Sequence, residues 1–551
     1  MSQTAVLTQT AASPPDSQLD HDSRRGPGSQ SSLSREYGSS EDIGDDQRTN
    51  LSRTRAVILI TTLTGITFVG SMSTGLLTIG LPWIAIDLGL PENLLLWPSS
   101  VYSRVLHTES RTSSMLTLYR LANGCCLLLA GSLADFMGNR MINLIGCFLL
   151  GTFTLACGVA QNGIQLILFR TFQGIATSMC LPTAFSILTD SMPVGKRRNI
   201  GFACLGLGQP FGFSVGLVFG GLFQGTSLKW RFGYYLCAGV TMGLAVVNFF
   251  KLPKDSAREP FTFGRLRREI DWMGIFLSSS SSGMISYVFA AITDSPSNIH
   301  KAENIVLLCV ATVMMPAFLG WMNWREKIGK PALIPNSLWQ NTAFSYLYHG
   351  SVLMGCAKRH GDYSQSISSF QEVQDLPAIQ AALRFLPSII SGITLNLGTG
   401  LLVHRLHANY LVLVASVLSA GSPLLMAIID PEWSWWYCAF WAMLLGPLSA
   451  DVIFTVANLI ITDAFTPKTQ GLAGAVFNVV AQFGTSIGLT IFAIISAGVT
   501  QGSSYENKKS PEALMLGYRA VFWTCFGLMM AACCFGAWGL RKVGKVGLKR
   551  E

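Results

Sequence analysis

Charge is scarce in this 551-residue chain: Asp, Glu, Lys and Arg make up only 13% of it, against roughly 25% in an average soluble domain. That scarcity excludes an ordinary water-soluble fold. No Gly-rich loop ending in Gly-Lys-Ser/Thr occurs, which excludes a phosphate-cradling ATP site of the P-loop type and with it ATP-driven work. The 13 cysteines are scattered, mostly through apolar runs, without metal-ligand spacing or a secreted framework. They read as small buried apolar residues, and neither a metal nor another cofactor is expected. The first 50 residues are rich in Ser, Asp, Gln and Gly and have no early apolar core, so no cleavable signal peptide is expected and residues 1–55 read as a disordered cytoplasmic tail. The formal net charge of +9 does not indicate nucleic acid, because Lys and Arg sit in loops beside apolar runs and no polar segment is long enough for a reader domain.

What is present is apolar length. Half of the residues are hydrophobic, and thirteen runs near the ~20 residues needed to cross a bilayer recur from Ala56 to Leu540, with a weaker candidate at 341–357. Lys and Arg collect in short cytoplasmic loops. Arg53 and Arg55, Arg140, Lys196 to Arg198, the basic residues between Lys251 and Arg268, Arg325 to Lys330, Arg405, Lys468 and the segment after Arg541 fall on one side only if the weak run is counted; Lys229, Arg231, Lys508 and Lys509 are exceptions. The reading is therefore an all-α polytopic membrane protein with 14 transmembrane helices and both termini cytoplasmic. Its expected parts are an amino-terminal six-helix bundle (56–250), a cytoplasmic loop (251–270), two additional central helices (271–323), a second loop (324–340), a carboxy-terminal six-helix bundle (341–540) and a basic tail (541–551).

Two stretches resist it. Arg104 to Arg120 interrupts the approach to the second span, and Lys358 to Asp362 follows the weak ninth. A charge at bilayer centre costs at least ~2.5 kcal/mol on insertion scales, so one or both of these stretches, within 103–120 and 346–369, read as extra sequence of the kind a retained intron adds.

The chain repeats itself. Gly208, Gly212, Gly216 and Gly220, followed by Gly221, put glycine on one face of a helix, which lets a neighbour approach at backbone distance. Phe211, Gly212, Ser214, Gly216 and Leu217 recur 272 positions later as Phe483, Gly484, Ser486, Gly488 and Leu489. Ile187 to Asp190 (ILTD) likewise recurs as Ile460 to Asp463 (IITD), and Gly131 with Asp135 as Gly400 with His404. Repeats in one orientation imply parallel halves with a cavity between them near the midplane.

These residues carry a resemblance. Gly131, Leu133, Asp135, Gly138 and Arg140 in GSLADFMGNR resemble the loop signature between the second and third spans of the major facilitator superfamily, although Phe136 and Asn139 replace the usual basic residues. Arg170, Gln173 and Gly174 resemble its fourth-span motif. Ala203, Gly212, Gly216, Gly220 and Gly221 resemble its fifth-span antiporter motif, with Leu217 where proline is usual. Fourteen spans, LPENLLLWPSSVY and FQEVQ are similar to the fungal drug:proton antiporter branch of aminotriazole-resistance-like exporters. The resemblance implies the major facilitator fold, two six-helix bundles plus two central helices. It also implies a secondary transporter, not an enzyme, that exports a drug, toxin or secondary metabolite against proton entry by alternating access. Its partners would be a small-molecule substrate, protons and lipid. A monomer in the plasma membrane or the vacuolar membrane is expected. The branch often carries an acid in the first span, where Ser71 to Thr78 is neutral; this suits the alternative of uptake or vacuolar transport of a small cation or nutrient, and the interrupted spans suit a non-transporting homologue.

Four residues are candidates for the substrate and proton pathway. Asp451, an intramembrane carboxylate in the twelfth span, either binds a proton or cation or is a structural Asp beside a break at Pro447. Asn458, seven residues on, shares its face. Arg170 either belongs to the pathway, as the resemblance implies, or snorkels to the outer interface. Gln173 either bonds substrate or bridges helices. Gly131, Asp135, Gly138, Arg140, Asp190 and Asp463 are candidates for a conformational latch, the alternative for Arg140 being plain anchoring. Gly208, Gly212, Gly216, Gly220, Gly221, Gly484 and Gly488 read as helix packing.

Overall fold

A computed structural model of the chain describes residues 52–88, 123, 126–193, 195–223, 226–254, 264, 270–294, 296–330, 332–334, parts of 339–376, and 378–403, 405–464, 467–508, 510–539 and 541. The tail, the Arg104–Arg120 stretch and Lys358 to Asp362 lie outside the described residues.

Every regular element described is helical. In chain order the helices are α1 (Arg53–Asp87), α2 (Cys126–Met137), α3 (Asn139–Val159), α4 (Gly163–Ser191), α5 (Lys196–Phe223), α6 (Trp230–Lys251), α7 (Trp272–Asp294) and α8 (Ala302–Lys327). They continue with α9 (Ala378–Leu383), α10 (Leu386–Leu402), α11 (Ala408–Ile428), α12 (Ala439–Leu445), α13 (Leu448–Ala464), α14 (Pro467–Gln501) and α15 (Pro511–Gly539). Among the described residues, nine helical spans are long and apolar enough to cross a membrane. In lipid an unpaired backbone group has no water to turn to, so continuous helix is the form these runs take.

The ends follow local chemistry. Asn162 caps α4 by accepting from the Gln165 amide at 2.9 Å, and Gln165 Oε1 accepts from the Gln161 amide at 2.9 Å, a reciprocal capping arrangement. Between α2 and α3 the connection is Gly138 alone, at φ 112°, a backbone conformation that glycine adopts without Cβ strain. One expected boundary changes. The first helix runs to Asp87, beyond the apolar run, because Asp87 accepts from Trp230 Nε1 at 3.1 Å and pairs with Arg231 at 3.3 Å. The twelfth span, read as 437–463 with a break at Pro447 as one alternative, is split into α12 and α13 around Gly446 and Pro447; proline has no amide to donate into the helix ladder.

Arg231, one of the exceptions to the charge rule, shows why a cation is tolerated at its position. It donates to the carbonyls of Gly158 at 3.1 Å and Ala160 at 2.6 Å, which lie at the carboxy-terminal end of α3, where a positive charge is favourable. In FQEVQ, Phe370 is buried under Arg384, whose guanidinium lies 5.1 Å from the ring centroid. Gln374 bonds Arg384 and donates to the Pro431 carbonyl at 3.2 Å.

Packing divides the helices into two groups. α1 lies along α5 and α6, and α3 lies against α4 and α6; α11 packs on α12, α13 and α15, α10 on α12 and α13, and α14 on α15. α7 and α8 pair, and α7 also touches α14. At the base of that pair the buried Asp271 accepts from Trp321 Nε1 at 3.0 Å, the Gly274 amide at 3.0 Å and the Leu333 amide at 3.4 Å, with Arg325 at 3.9 Å. The groups meet where α5 packs on α9, α10 and α13 and α4 packs on α14.

The glycine face of α5 turns to α1. A Cβ on Gly212 or Gly216 would collide with the backbone carbonyl of Phe68 or Met72, and one on Gly75 with that of Phe213. Gly208 and Gly220 face Thr64 and Ile79, while Gly221 is half-buried. In the second group a Cβ on Gly484 of α14 would stand 2.9 Å from the Cα of Val352. Gly488 is buried on the same helix. Most described cysteines are buried as expected, with Cys309 and Cys534 exposed.

Candidate functional site

Two polar centres lie within apolar helices. The first is built around Arg170, in the second turn of α4, where only 1% of the residue is exposed. Its Nη1 donates to Ser73 Oγ at 3.2 Å and Gln173 Oε1 at 3.0 Å, and its Nη2 donates to the Ser73 carbonyl at 2.7 Å and to the Tyr234 hydroxyl. Gln173 Nε2 in turn donates to Ser73 Oγ at 3.1 Å and Thr154 Oγ1 at 2.7 Å. Four helices thus converge: Ser73 from α1, Thr154 from α3, Arg170 and Gln173 from α4, and Tyr234 from α6. The guanidinium fork suits this set because its several donors lie in one rigid plane and reach oxygens on different helices at once. Arg170 therefore points inward and does not snorkel. Arg170 and Gln173 stand three residues apart, one helical turn, which places them side by side.

The second centre is the break between α12 and α13. Without a Pro447 amide the ladder stops, and carbonyls preceding the break need other donors. Three serines supply them. Ser388 and Ser391 on α10 donate to the Met443 and Leu444 carbonyls at 2.6 and 2.7 Å, and Ser419 on α11 donates to the Gly446 carbonyl at 2.7 Å. Asp451 follows in the first turn of α13, 7% exposed, where the helix dipole favours a negative charge. Its carboxylate faces α10: a Cβ on Gly392 would stand 3.0 Å from Asp451 Oδ2. One turn on, Asn396 donates to the Gly392 carbonyl at 3.1 Å and accepts from Thr455 Oγ1 at 3.3 Å. Asn458 is buried two turns beyond Asp451 and spends its Nδ2 on the Phe454 carbonyl of its own helix at 2.7 Å.

Of the candidate latch residues, Gly138, Arg140 and Asp190 lie at or against the Gly138 turn. Asn139, where the resemblance led us to expect a base, donates from Nδ2 to Asp190 Oδ2 at 3.2 Å and so joins α3 to the end of α4. Arg140 Nη2 donates to the Phe249 carbonyl at 2.7 Å near the end of α6. Gly131 and the exposed Asp135 lie on α2. The side chain of Asp463 lies outside the described residues.

Sequence reasoning missed Ser73, Thr154, Tyr234 and the three serines. Ser73 sat in the stretch noted only as neutral, and Tyr234 and Thr154 carry no local signal. Ser388 and Ser391 were detectable in principle, being three apart on one helical face shortly before a proline-interrupted span.

The family now follows. The family model described as Major Facilitator Superfamily matches residues 63–489, and the chain belongs to that superfamily. It is similar to "MFS-type transporter 1" of Pyricularia oryzae, at 36% identity covering 98% of this chain and 92% of that protein. It is also similar to the efflux pump terJ of Aspergillus terreus, at 24% identity covering 76% and 78%. Among solved structures, the human organic anion transporter MFSD10 (TETRAN) superposes with a TM-score of 0.55 at 13% identity over 87% of this chain and 99% of that one, a likeness of fold alone. The chain is a multi-pass membrane transporter, not an enzyme, among relatives that include fungal efflux pumps.

Proposed function

We propose that this transporter exports a small organic toxin, drug or secondary metabolite in exchange for protons, by alternating access of two six-helix groups, with α7 and α8 as additional central helices among 14 spans. The observation that carries the coupling is the buried carboxylate of Asp451, set directly after the α12–α13 break and turned toward α10. A carboxylate held in the bilayer interior can take up and release a proton as the two sides alternate. Arg170, held with Gln173 among α1, α3, α4 and α6, belongs to the pathway of the first group as a buried fixed cation whose field favours an acidic substrate group. Asn458 continues the polar face of α13. Asp135, Arg140, Asp190 and Asp463, with Gly131 and Gly138, hold the cytoplasmic ends together in one of the two states. Naming of a similar protein as an efflux pump supports the outward direction. The expected form is a monomer in the plasma membrane.

In a deletion strain challenged with a panel of toxic organic compounds, expression of the chain confers resistance to at least one. Movement of that compound into inverted vesicles then requires an imposed pH gradient and loses this requirement, together with most of the flux, in Asp451→Asn. Unaltered gradient-dependent flux in that variant would remove Asp451 from the coupling mechanism. Flux in the inward direction would instead select the uptake reading.

A further inference from the structure

The buried apolar residues are distributed unequally between the two ends of the helices. Near the basic ends a single cluster crosses both groups and includes Leu181, Phe185 and Phe202 of α4 and α5 together with Val456 of α13 and Phe477 of α14. At the opposite ends α9 still touches α5, but the buried apolar clusters of the two groups are separate. One is built from α1, α3, α4 and α6 around Leu77, Leu166 and Tyr234, and the other from the second group around Phe385, Met443 and Phe522. The two groups are therefore joined by apolar packing on the side where Lys and Arg collect, the cytoplasmic side by the positive-inside rule.

At the join stand four phenylalanines, two from each group. Phe185 of α4 lies 5.9 Å from Phe202 of α5 at 21° between ring planes, and 5.8 Å from Phe454 of α13 across the groups. Phe454 lies 6.4 Å from Phe477 of α14. The Phe454 ring rests on bare backbone, since a Cβ on Gly206 of α5 would stand 2.8 Å from its Cδ1. A turn further toward the cytoplasm on α5, the groups come as close again: a Cβ on Gly400 of α10 would stand 2.6 Å from that of Ala203. The glycine at 206 thus has a role separate from the α1-facing stripe. It opens a seat on α5 for an aromatic ring of the other group.

We infer that Phe185, Phe202, Phe454 and Phe477 form the cytoplasmic seal of the transport pathway, closed in this structure while the outer ends hold separate cores. Ring-on-ring contact suits a seal that must form and part in every cycle. It excludes water over a large area, and its separation strands no hydrogen-bonding group. The inference rests on membership of the transporter family and on these contacts, and is independent of any role for Asp451.

The test needs no substrate. The full chain is purified, reconstituted in phosphatidylcholine–phosphatidylglycerol nanodiscs and followed by hydrogen–deuterium exchange for wild type, Phe454→Ala, the double variant Phe454→Ala/Phe477→Ala, Phe454→Leu and the control Phe148→Ala, whose ring is 59% exposed on α3. Both alanine variants should raise exchange several-fold in peptides covering 199–206 and 454–461, with no rise at the outer end of α1. Phe454→Leu and Phe148→Ala should match wild type. Unchanged exchange at 199–206 in the alanine variants overturns the seal. So does a rise of equal size at both ends of the helices, which is the signature of general destabilisation. If the double variant does not reconstitute, Phe454→Ala is read by the same two criteria.

Discussion

At the scale of single residues, the neutral first span acquires a role. The branch it resembles often carries an acid between Ser71 and Thr78, and the neutral stretch here suits carriage of a small cation or nutrient. Ser73 instead meets Arg170 with both its hydroxyl and its carbonyl, so the span contributes acceptors to the guanidinium without contributing charge. Tyr234 completes the set from α6. Hydrogen bonds to a charged group contribute about 1.5–3 kcal/mol each, so Tyr234→Phe, which deletes only the hydroxyl, should lower stability by about that amount. Thermal unfolding of the purified protein measures it. The loss should shrink in the background Arg170→Met, because a pair in one network is not additive. An undiminished loss would separate Tyr234 from the arginine.

At the scale of elements, the glycine helix is a contact surface with a known partner. Its stripe was readable from spacing alone as close packing, and α1 is what it packs on. Gly212 and Gly216 lie against carbonyls of α1, and Gly75 returns the approach from the other side. Backbone cannot move aside as a flexible side chain can, so Gly212→Ala should cost roughly 1–3 kcal/mol, the range for overpacking. Gly239→Ala and Gly243→Ala on α6, with nothing within 4 Å of the added carbon, should be neutral or slightly stabilising in the same unfolding measurement. Equal effects at all three positions would mean that the contact between α1 and α5 is looser than described. The α12–α13 break is an element-scale feature too. Pro447 announced an interruption, but the hydroxyls that make it tolerable come from α10 and α11, about 30 to 60 residues earlier in the chain.

At the scale of the whole molecule, the sequence repeat has a spatial counterpart. Gly212 of α5 approaches Phe68 of α1, and its echo Gly484 of α14 approaches Val352, so equivalent glycines in the two halves face early helices of their own half. The charge-derived topology places Lys229 and Lys508 outside and Lys254 and Lys330 inside. In intact cells a membrane-impermeant amine reagent should label Lys229 and Lys508 and leave Lys254 and Lys330 untouched until the membrane is permeabilised. Labelling of Lys330 in intact cells would mean an odd number of crossings before it and would undo the 14-span count. Arg231, an exception to the charge rule on paper, is accounted for by its bonds to the end of α3 and to Asp87.

Fold class, membrane residence, the duplicated plan and the positions of Arg170, Gln173 and Asp451 could all be read along the chain. Each depends on composition or on spacing of a few residues, and helical periodicity turns such spacing directly into a shared face. Partners across helices could not be read that way. Ser73 and Arg170 are 97 residues apart, and Phe185 and Phe454 are further still. Nothing local in either member of such a pair encodes the other. What brings them together is the packing of bare glycine faces and the mutual need of buried polar groups for partners, and both are satisfied only when the helices have assembled.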